Sequence, residues 1–439
     1  MARKGKDGII KGAAQIAIGG FLAKLIGALY RIPLTNILGG EGIGLYQLVY
    51  PFYCLLLTLS ATGIPSAIAK LVAEKRASGE SPSAVFSTAM RLFLAVGGAS
   101  TLLMIFLSPL LAKAQGEQGL TYGYLALAPS VITVSAISVF RGYFQGEGDM
   151  FPTACSEVLE QLVKVAVGLI VAYLFRENLL RAVTALLFAV SVSELAALAF
   201  LFLRFRKAKD KRLGGKTASP VSKRQVLALS FPVTLASLLL PLSGLVESVA
   251  LVRLLKGYAE NAVALYGLYS GGAVTIVNLP VSVCYGVAVA SVPAIARAAV
   301  EGTGVRKKLL YSLGLTLALS TVAAVGLYFC SGLAVRLVFR SLSENERGIL
   351  VRLVKLFSVS AVTLSATQTM SASLTALGKP SNSAISMGVA VAVKTGLGIL
   401  LVRNPSVSVY GAVIAADIAY MLSFALDFFF AMRLTKNKK

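Results

Sequence analysis

The chain alternates long apolar runs with short polar segments along its whole length. Most runs reach about 20 residues, the length that an α-helix needs to cross a hydrocarbon core about 30 Å thick. The pattern predicts an all-α integral membrane protein with about twelve transmembrane helices. The predicted spans are 9–35, 45–72, 84–111, 122–144, 152–175, 182–203, 226–255, 262–296, 308–335, 350–376, 382–402 and 407–431.

One long polar stretch, RFRKAKDKRLGGKTASPVSKR at residues 204–224, separates the sixth span from the seventh. Its basic residues, Gly-Gly pair and proline predict a flexible cytoplasmic linker. The GGKT segment does not make a phosphate-binding loop, because Asp210 stands where that motif needs its first glycine and no strand precedes it. The predicted domains are an N-terminal six-helix lobe at 1–203, a linker at 204–225 and a C-terminal six-helix lobe at 226–439.

The two lobes repeat each other in sequence. When residues 130–171 are shifted by 230 positions onto 360–401, ten of the 42 positions are identical without a gap, whereas composition alone predicts about three. The identities include Ser135 with Ser365, Gly148 with Gly378, Lys164 with Lys394 and Gly168 with Gly398. Since each repeat has an even number of spans, the lobes are predicted to be parallel, pseudo-symmetric repeats with a ligand site between them at the membrane midplane.

Charge sets the expected orientation and compartment. The chain is 56% hydrophobic, lacks histidine and carries a formal net charge of +23. The basic excess is concentrated at the N-terminus, in the 204–225 linker and in the C-terminal tail, so the positive-inside rule places both termini in the cytoplasm. We therefore expect a multi-pass plasma-membrane protein whose basic surface faces anionic inner-leaflet lipid and not nucleic acid.

Charged residues inside the spans are the candidate functional groups. Span 1 carries a narrow stripe of small residues and two cations, spaced by three and four positions so that all lie on one helix face. Small residues beside cations make a poor lipid-facing surface, and they favour a helix that lines a cavity or packs closely against a neighbour. The stripe consists of Ala13, Ala17, Gly20, Lys24, Gly27, Arg31 and Thr35.

Span 5 repeats this design with Glu157, Gln161 and Lys164 on one face, and Lys394 is the pseudo-symmetric lysine of span 11. A structural interpretation is available for Lys164, in which Glu157 or Glu160 neutralises it. Glu160 precedes the lysine by four residues, the favourable order for an ion pair within one helix. Spans 1 and 11 have no intramembrane carboxylate of their own, so an anionic substrate is the alternative counter-charge. The predicted substrate-binding residues are Lys24, Arg31, Lys164, Lys394, Gln161 and Glu157.

Glu247 is a weak candidate for binding a coupling cation. It follows Pro232 and Pro241 in span 7, where a bent helix exposes carbonyl groups that coordinate Na⁺ or a carboxylate that takes a proton. Pairing of Glu247 with Arg253 or another basic group is the competing interpretation. No cofactor is expected.

Other classes of protein fit the sequence less well. A polytopic enzyme needs clustered acids, a nucleophile or a loop large enough to house a site, and here the acids are sparse and the outer loops short. A sugar or peptide symporter would carry an Asp, basic residues and Gly in a fixed pattern after span 2, which the segment AEKRASGES lacks. A scaffold without transport activity leaves the mid-membrane cations unexplained.

The segments FLAKLIGALYRIPLTNILGGEGIGLYQLVYPFY (21–53) and GIPSAIAKLVAEKRASGE (63–80) resemble the start of the multidrug/oligosaccharidyl-lipid/polysaccharide exporter superfamily, most closely its stage V sporulation protein B branch, which is related to the lipid II flippases. The resemblance implies two six-helix lobes and a central cationic cavity for the pyrophosphate of an undecaprenyl-linked sugar. Lys24 and Arg31 match the span-1 cations of that family. Leu55, Leu56 and Thr275 stand where lipid II flippases have arginines, which implies a lipid-linked glycan other than lipid II.

The sequence therefore predicts a flippase that moves an anionic, lipid-linked cell-wall or polysaccharide precursor across the plasma membrane by alternating access, in cell-wall or spore-cortex synthesis. Because no ATP site is present, the expected driving force is Na⁺, H⁺ or the membrane potential. The alternative is a cation-coupled multidrug antiporter of the same superfamily.

Overall fold

The computed structural model describes residues 2–212 and 221–435, and within these ranges the chain is helical apart from short turns. Residues 213–220 of the predicted linker lie outside the described part, as do the side chains of the first fourteen residues and of a few later ones, including Lys24. The all-α fold is confirmed. Its helices are α1 Ala2–Ala61, α2 Ile64–Ala77, α3 Ser83–Ala114, α4 Leu120–Gly146, α5 Phe151–Leu174, α6 Leu179–Arg212, α7 Lys223–Ser237, α8 Leu239–Lys256, α9 Ala262–Gly267, α10 Val274–Glu301, α11 Val305–Val338, α12 Glu344–Ala376, α13 Pro380–Val402 and α14 Tyr410–Thr435.

Nine helical segments of the described chain are long and apolar enough to cross a membrane. The other predicted spans miss this criterion for identifiable reasons. Span 2 is continuous with span 1 in a single segment, and span 5 carries three charged residues close together. Span 7 is broken into α7, which is too short, and α8, which carries the three charged residues Glu247, Arg253 and Lys256. Span 5, which has the densest intramembrane charge, is thus among the spans that depart from a simple apolar helix.

The first two predicted spans form one helical run with a kink and a short break. Gly39 adopts φ 68° and ψ −174° inside α1, a left-handed φ that glycine tolerates without a steric penalty. The run ends at Ala61, and α2 begins at Ile64 after Gly63, whose φ is 79°. The expected continuous span 45–72 is therefore wrong at its C-terminal end.

Span 7 was also expected to be continuous from 226 to 255, and the structure interrupts it at Leu238. Pro241 explains the interruption: proline has no N–H to donate to the carbonyl of residue 237, and its ring clashes with that carbonyl. The chain turns there and resumes as α8, which carries Glu247.

The chain divides into two compact units, Met1–Pro33 with Leu48–Leu245, and Leu34–Gln47 with Val246–Lys439. The units differ from the predicted lobes in two segments. Residues 34–47 join the second unit, where the side-chain amide of Gln47 donates to the carbonyl and hydroxyl oxygens of Ser270 at 2.9 and 3.0 Å. That serine lies in a π-helical turn, Leu268–Ala273, between α9 and α10.

The second exchanged segment is α7 with the start of α8, which belongs to the first unit. The Thr234 hydroxyl donates to the carbonyl of Thr62 at 2.6 Å in the short break between α1 and α2. The division into six-helix lobes at 1–203 and 226–439 remains a prediction.

The repeat seen in the sequence extends to local structure. Gly148 and Gly378, which are 230 positions apart, both have left-handed φ angles, 77° and 73°, in the turns that precede α5 and α13. Ser135 and Ser365 are both buried, and each donates to the carbonyl four residues earlier, at 2.9 and 2.7 Å. The prediction of repeated lobes is confirmed.

Candidate functional site

The predicted stripes of spans 1 and 5 face each other within the first unit. A Cβ atom added to Gly20 of α1 would lie 3.6 Å from the Glu157 carboxylate of α5, and one added to Gly27 would lie 3.0 Å from the Gln161 side-chain oxygen. Glycine on α1 therefore lets the polar side chains of α5 approach the α1 backbone. Glu157 and Gln161 lie on this contact and not on a lipid-facing surface.

The structure describes the side chain of only one of the two span-1 cations. Lys24 lies on α1 between Gly20 and Gly27, but its side chain is outside the described part. Arg31 is half-buried and lies one turn beyond Gly27, within electrostatic range of Lys164. The two like charges repel each other.

Gly168 of α5 also lies close to α1. A Cβ there would lie 2.1 Å from the Tyr30 hydroxyl oxygen, which is shorter than any tolerated contact. At the equivalent position of the second repeat, a Cβ on Gly398 would lie 3.9 Å from the Ala415 Cβ, an ordinary contact. The two repeats thus differ in how tightly this helix is packed.

We expect Gly168→Ala to lower the free energy of unfolding by about 1–3 kcal/mol through overpacking, in spite of the gain of about 1 kcal/mol that alanine brings to a helix. Gly398→Ala is the matched control and should be neutral or stabilising. Thermal unfolding of the purified variants in detergent measures both. Equal effects of the two substitutions would contradict the close α1–α5 contact.

Glu160 does not serve as the ion-pair partner of Lys164. Its carboxylate accepts from the Arg141 guanidinium of α4 at 3.3 Å and from the Gln161 amide, also at 3.3 Å. Arg141 donates in addition to the Ser156 hydroxyl at 2.9 Å. The ion pair within α5 that the sequence suggested is therefore replaced by a bridge between α4 and α5.

Lys164 lies among opposing charges without a direct partner. It is attracted by Glu160 and by Glu194 of α6, and it forms no ion pair with any residue that the structure describes. Glu194 is 2% exposed and accepts a hydrogen bond from the Tyr53 hydroxyl. Glu160 is thus engaged by Arg141 and one oxygen of Glu194 by Tyr53, whereas the other Glu194 oxygen has no hydrogen-bond partner among the described residues. The lysine ammonium, which has no ion pair, is available to an additional anion.

Lys394, the equivalent lysine of the second repeat, is neutralised directly. Its ammonium lies 2.8 and 3.0 Å from the two carboxylate oxygens of Glu247 on α8. The lysine and glutamate side chains are 19% and 10% exposed. The expectation that Lys394 needs an external counter-charge is therefore weakened, because the broken seventh span brings one to it.

The ion pair with Lys394 also affects whether Glu247 is open to a coupling cation. In this structure the lysine ammonium occupies the place beside the carboxylate that a coupling ion would take. No group of three or more His, Cys, Asp or Glu residues arranged to hold a metal ion occurs in the described chain. Coupling through Glu247 remains a prediction that requires Lys394 to move away first.

Sequence reasoning missed Arg141 and Tyr53. Arg141 lies within the last turn and a half of α4, where an arginine is readily assigned to the membrane interface. Tyr53 has no charge and lies in a long apolar run. The sequence repeat holds one signal that points to Arg141. Arg141 contacts Ser156, and Ser156 is one of the ten identities that the repeats share, where it matches Ser386.

Comparison with known proteins places this arrangement in a class. The chain resembles stage V sporulation protein B of Bacillus subtilis (strain 168), with 27% identity over 93% of this chain and 81% of the relative. It also resembles the lipid II flippase MurJ of the same organism, with 23% identity over 97% of this chain and 82% of the relative. A solved inward-facing structure of a multidrug resistance MATE family transporter of the MOP superfamily has the same fold, with a TM-score of 0.78, 18% identity and 95% of each chain covered.

The fold is that of a multi-pass membrane transporter of the MOP superfamily. The family model described as polysaccharide biosynthesis protein matches residues 9–299, more than half of the chain. The chain belongs to that family. The resemblance to the exporter superfamily and to its sporulation protein B branch is thereby confirmed.

Proposed function

We propose that this transporter is a flippase for an anionic, lipid-linked glycan, with an undecaprenyl-pyrophosphate-linked sugar as its substrate. The observation that carries the proposal is the half-buried Lys164, which lies close to a second cation, Arg31, and has no ion pair among the described residues. Two neighbouring cations at membrane depth are costly, and an anion bound between them repays part of that cost.

The relatives support this class of substrate. One is named a lipid II flippase and another a stage V sporulation protein. Leu55, Leu56 and Thr275 replace the arginines expected of a lipid II flippase, so we propose a related glycan-bearing lipid of cell-wall or spore-cortex synthesis. We further propose a plasma-membrane location with both termini in the cytoplasm, where the basic residues of the chain face anionic lipid.

The charged head group is the costly part of such a substrate to move across the bilayer. Lys164 and Arg31 replace water around the phosphate groups, and Arg31 offers the planar, two-pronged donor set that suits a phosphate. Lys24 is proposed as a third contact on the same face of α1, with Gln161 and Glu157 contacting the sugar. The polyprenyl tail stays in lipid while the protein alternates between inward-open and outward-open states.

The second unit has a different part in this proposal. Lys394 is held by Glu247, so it becomes available to the substrate only when that ion pair opens. Such an opening would expose the Glu247 carboxylate to Na⁺ or H⁺ at the same moment. Substrate binding to Lys394 and cation binding to Glu247 are therefore proposed to favour the same state.

The proposal is tested first by binding. Purified protein is heated in detergent with undecaprenyl pyrophosphate or with undecaprenol, which has the same tail without the phosphates. The pyrophosphate lipid should raise the melting temperature of the wild type and have a much smaller effect on Lys164→Gln, whereas undecaprenol should affect both equally. Equal stabilisation of the wild type by both lipids would contradict recognition of the pyrophosphate.

A multidrug antiporter is the second candidate, and the fold shared with the MATE family transporter favours it together with the buried carboxylate of Glu194. A drug cation would bind the Glu194 carboxylate. The three described cations of this region, Arg31, Lys164 and Arg141, are matched in number by the carboxylates Glu157, Glu160 and Glu194, so the local charge alone does not decide between the two candidates.

The membrane potential is the proposed drive. An inside-negative potential of 100 mV favours outward movement by about 2.3 kcal/mol for each net negative charge that the loaded carrier moves. We expect that collapsing the potential with valinomycin and potassium slows flipping in proteoliposomes, and that depleting ATP does not. A flipping rate that is independent of the membrane potential but falls to zero without Na⁺ would instead indicate that a cation gradient drives transport.

A further inference from the structure

The hairpin of α11 and α12 carries a groove lined by charged residues, here called the basic groove. Its cavity has a volume of about 590 Å³, within the range of about 300–1,000 Å³ that is typical of ligand pockets. Gly332 of α11 and Gly348 of α12 leave the space open, since a Cβ atom added to either would meet no atom within 4 Å. The charged residues that line the basic groove are Arg336, Glu344, Arg347, Arg352 and Lys355.

The carboxylate in the basic groove is neutralised by an arginine of its own helix. The Arg347 guanidinium donates to the Glu344 carboxylate at 2.8 Å and to the Phe339 carbonyl at 3.3 Å. Arg347 therefore fastens the turn between α11 and α12, and the negative charge of Glu344 is already compensated.

The other three cations of the basic groove have no counter-ion in the described part of the chain. Arg336 and Arg352 form no ion pair with a described residue. The Lys355 ammonium lies 5.6 Å from the centre of the Tyr328 ring, a cation–π contact that leaves its positive charge uncompensated. Arg352 and Lys355 also line a second cavity of about 360 Å³, together with Tyr328. The two cavities thus share one positively charged surface.

The sequence repeat provides an internal comparison. A shift of 230 positions relates Arg352 to Tyr122 and Lys355 to Leu125 of α4. These two residues are 69% and 39% exposed, and tyrosine and leucine are ordinary residues on a surface that meets lipid near the membrane interface. The first unit thus folds without cations at these helix positions, so the charges of the second unit require a separate explanation.

The position of the basic groove along the helices indicates what its cations meet. Both α11 and α12 are long and apolar enough to cross a membrane, and Arg336 lies in the last turn of α11. Exposed apolar side chains accompany the cations: Phe329 and Leu333 on α11 and Leu356 on α12 are 77%, 63% and 42% exposed. Cations beside an apolar surface at the end of a membrane-spanning helix match the boundary where phosphate head groups meet acyl chains.

We propose that the basic groove binds the phosphate head group of an anionic phospholipid, such as phosphatidylglycerol, whose acyl chains lie along Leu333 and Leu356. A free phosphate ion would make no use of the exposed apolar side chains, and a zwitterionic lipid would bring its own ammonium group to three cations. In the orientation proposed above, the basic groove faces the outer leaflet. Binding belongs to the second unit and does not require the flippase function.

The test uses the absence of tryptophan from the chain. Tyr328→Trp places a single strong fluorophore beside the basic groove, and the full-length protein is reconstituted in phosphatidylcholine vesicles. A small fraction of brominated phosphatidylglycerol then quenches the tryptophan on contact, and the same fraction of brominated phosphatidylcholine gives the baseline. We expect phosphatidylglycerol to be enriched at this position by about tenfold over its bulk fraction, because several cations attract one anionic head group.

Two variants made in the Tyr328→Trp background test the groove itself. Arg352→Gln with Lys355→Gln should abolish the enrichment, and Gly332→Leu should lower it by filling the groove without a change of charge. Arg403→Gln is the control for charge, because it removes an exposed cation from the end of α13, on the side of the membrane where α12 begins. Gly314→Leu is the control for volume, because a Cβ there also meets no atom within 4 Å. Both controls should retain the enrichment.

Equal quenching by the two brominated lipids would overturn the proposal. Equal enrichment at Tyr122→Trp, made in the otherwise unchanged chain, would also overturn it, because the attraction would then be general and not a property of the groove. Loss of the enrichment in excess inorganic phosphate would assign the groove to a free anion, and displacement by equimolar undecaprenyl pyrophosphate would assign it to the transport substrate. If the double variant does not fold, Gly332→Leu carries the comparison. A failure of flipping assays would not alter these outcomes, since quenching is measured without transport.

Discussion

Arg31→Ala is expected to lower the flipping rate by about 100-fold while membrane insertion and folding stay intact. A charge-assisted hydrogen bond contributes about 1.5–3 kcal/mol, and a guanidinium that binds phosphate through two donors contributes at the upper end of that range. The same loss is expected for Lys24→Ala, which lies on the same face of α1. Flipping of a labelled lipid-linked sugar in proteoliposomes measures the rates.

Two controls separate the role of the charge from that of the guanidinium group. Arg31→Lys keeps the charge but loses the planar donor pair, so its rate should be intermediate. Arg181→Ala removes a cation from an exposed position at the start of α6 and should leave the rate unchanged. Wild-type rates in both Arg31→Ala and Lys24→Ala would assign these residues a structural role.

Glu247→Gln is expected to lower the free energy of unfolding by about 3–5 kcal/mol, because it leaves the Lys394 ammonium buried without its counter-ion. Removing both charges, as in Glu247→Gln with Lys394→Met, should recover most of this loss. The free energies are measured by thermal or denaturant unfolding in detergent micelles.

The exposed ion pair between Lys70 and Glu74 provides the control. Its atoms are 3.9 Å apart and its side chains are about 60% exposed, so Glu74→Gln should change stability by less than about 1 kcal/mol. If Glu247→Gln proves as harmless as Glu74→Gln, the contact between Glu247 and Lys394 is not a buried ion pair.

The features that depend on position along one chain, namely the helices, their faces and the repeat, were predictable from the sequence. Apolar run length located the helices, and the three-and-four spacing of small residues placed Gly20, Gly27 and Arg31 on one face of α1. The shift of 230 positions identified Lys164 with Lys394. These features follow from helix geometry and from repeated ancestry, which a single sequence records.

The partners of the charged residues were not predictable in the same way. Glu160 lies at the correct spacing for Lys164 but contacts Arg141, because a neighbouring helix offers a guanidinium with several donors. Lys394 has no carboxylate in its own span and receives Glu247 from α8. The partner of a charged residue depends on which helices pack together, and the sequence around that residue does not specify the packing.

The difference between the two lysines has a functional consequence. Lys394 is compensated by a direct ion pair within its own unit, whereas Lys164 has carboxylates near it but no ion pair among the described residues. We expect substitutions of Lys164 to affect substrate affinity more than stability, and those of Lys394 to affect stability first.

We propose that the intramembrane cations of this protein serve an anionic lipid-linked substrate. Transport by the purified protein in liposomes tests this role, with an undecaprenyl-pyrophosphate-linked sugar and an amphiphilic drug cation compared side by side. We predict movement of the pyrophosphate lipid, its loss in Arg31→Ala, and no uptake of the drug cation. Transport of the drug cation alone would contradict the flippase and assign the protein to multidrug export.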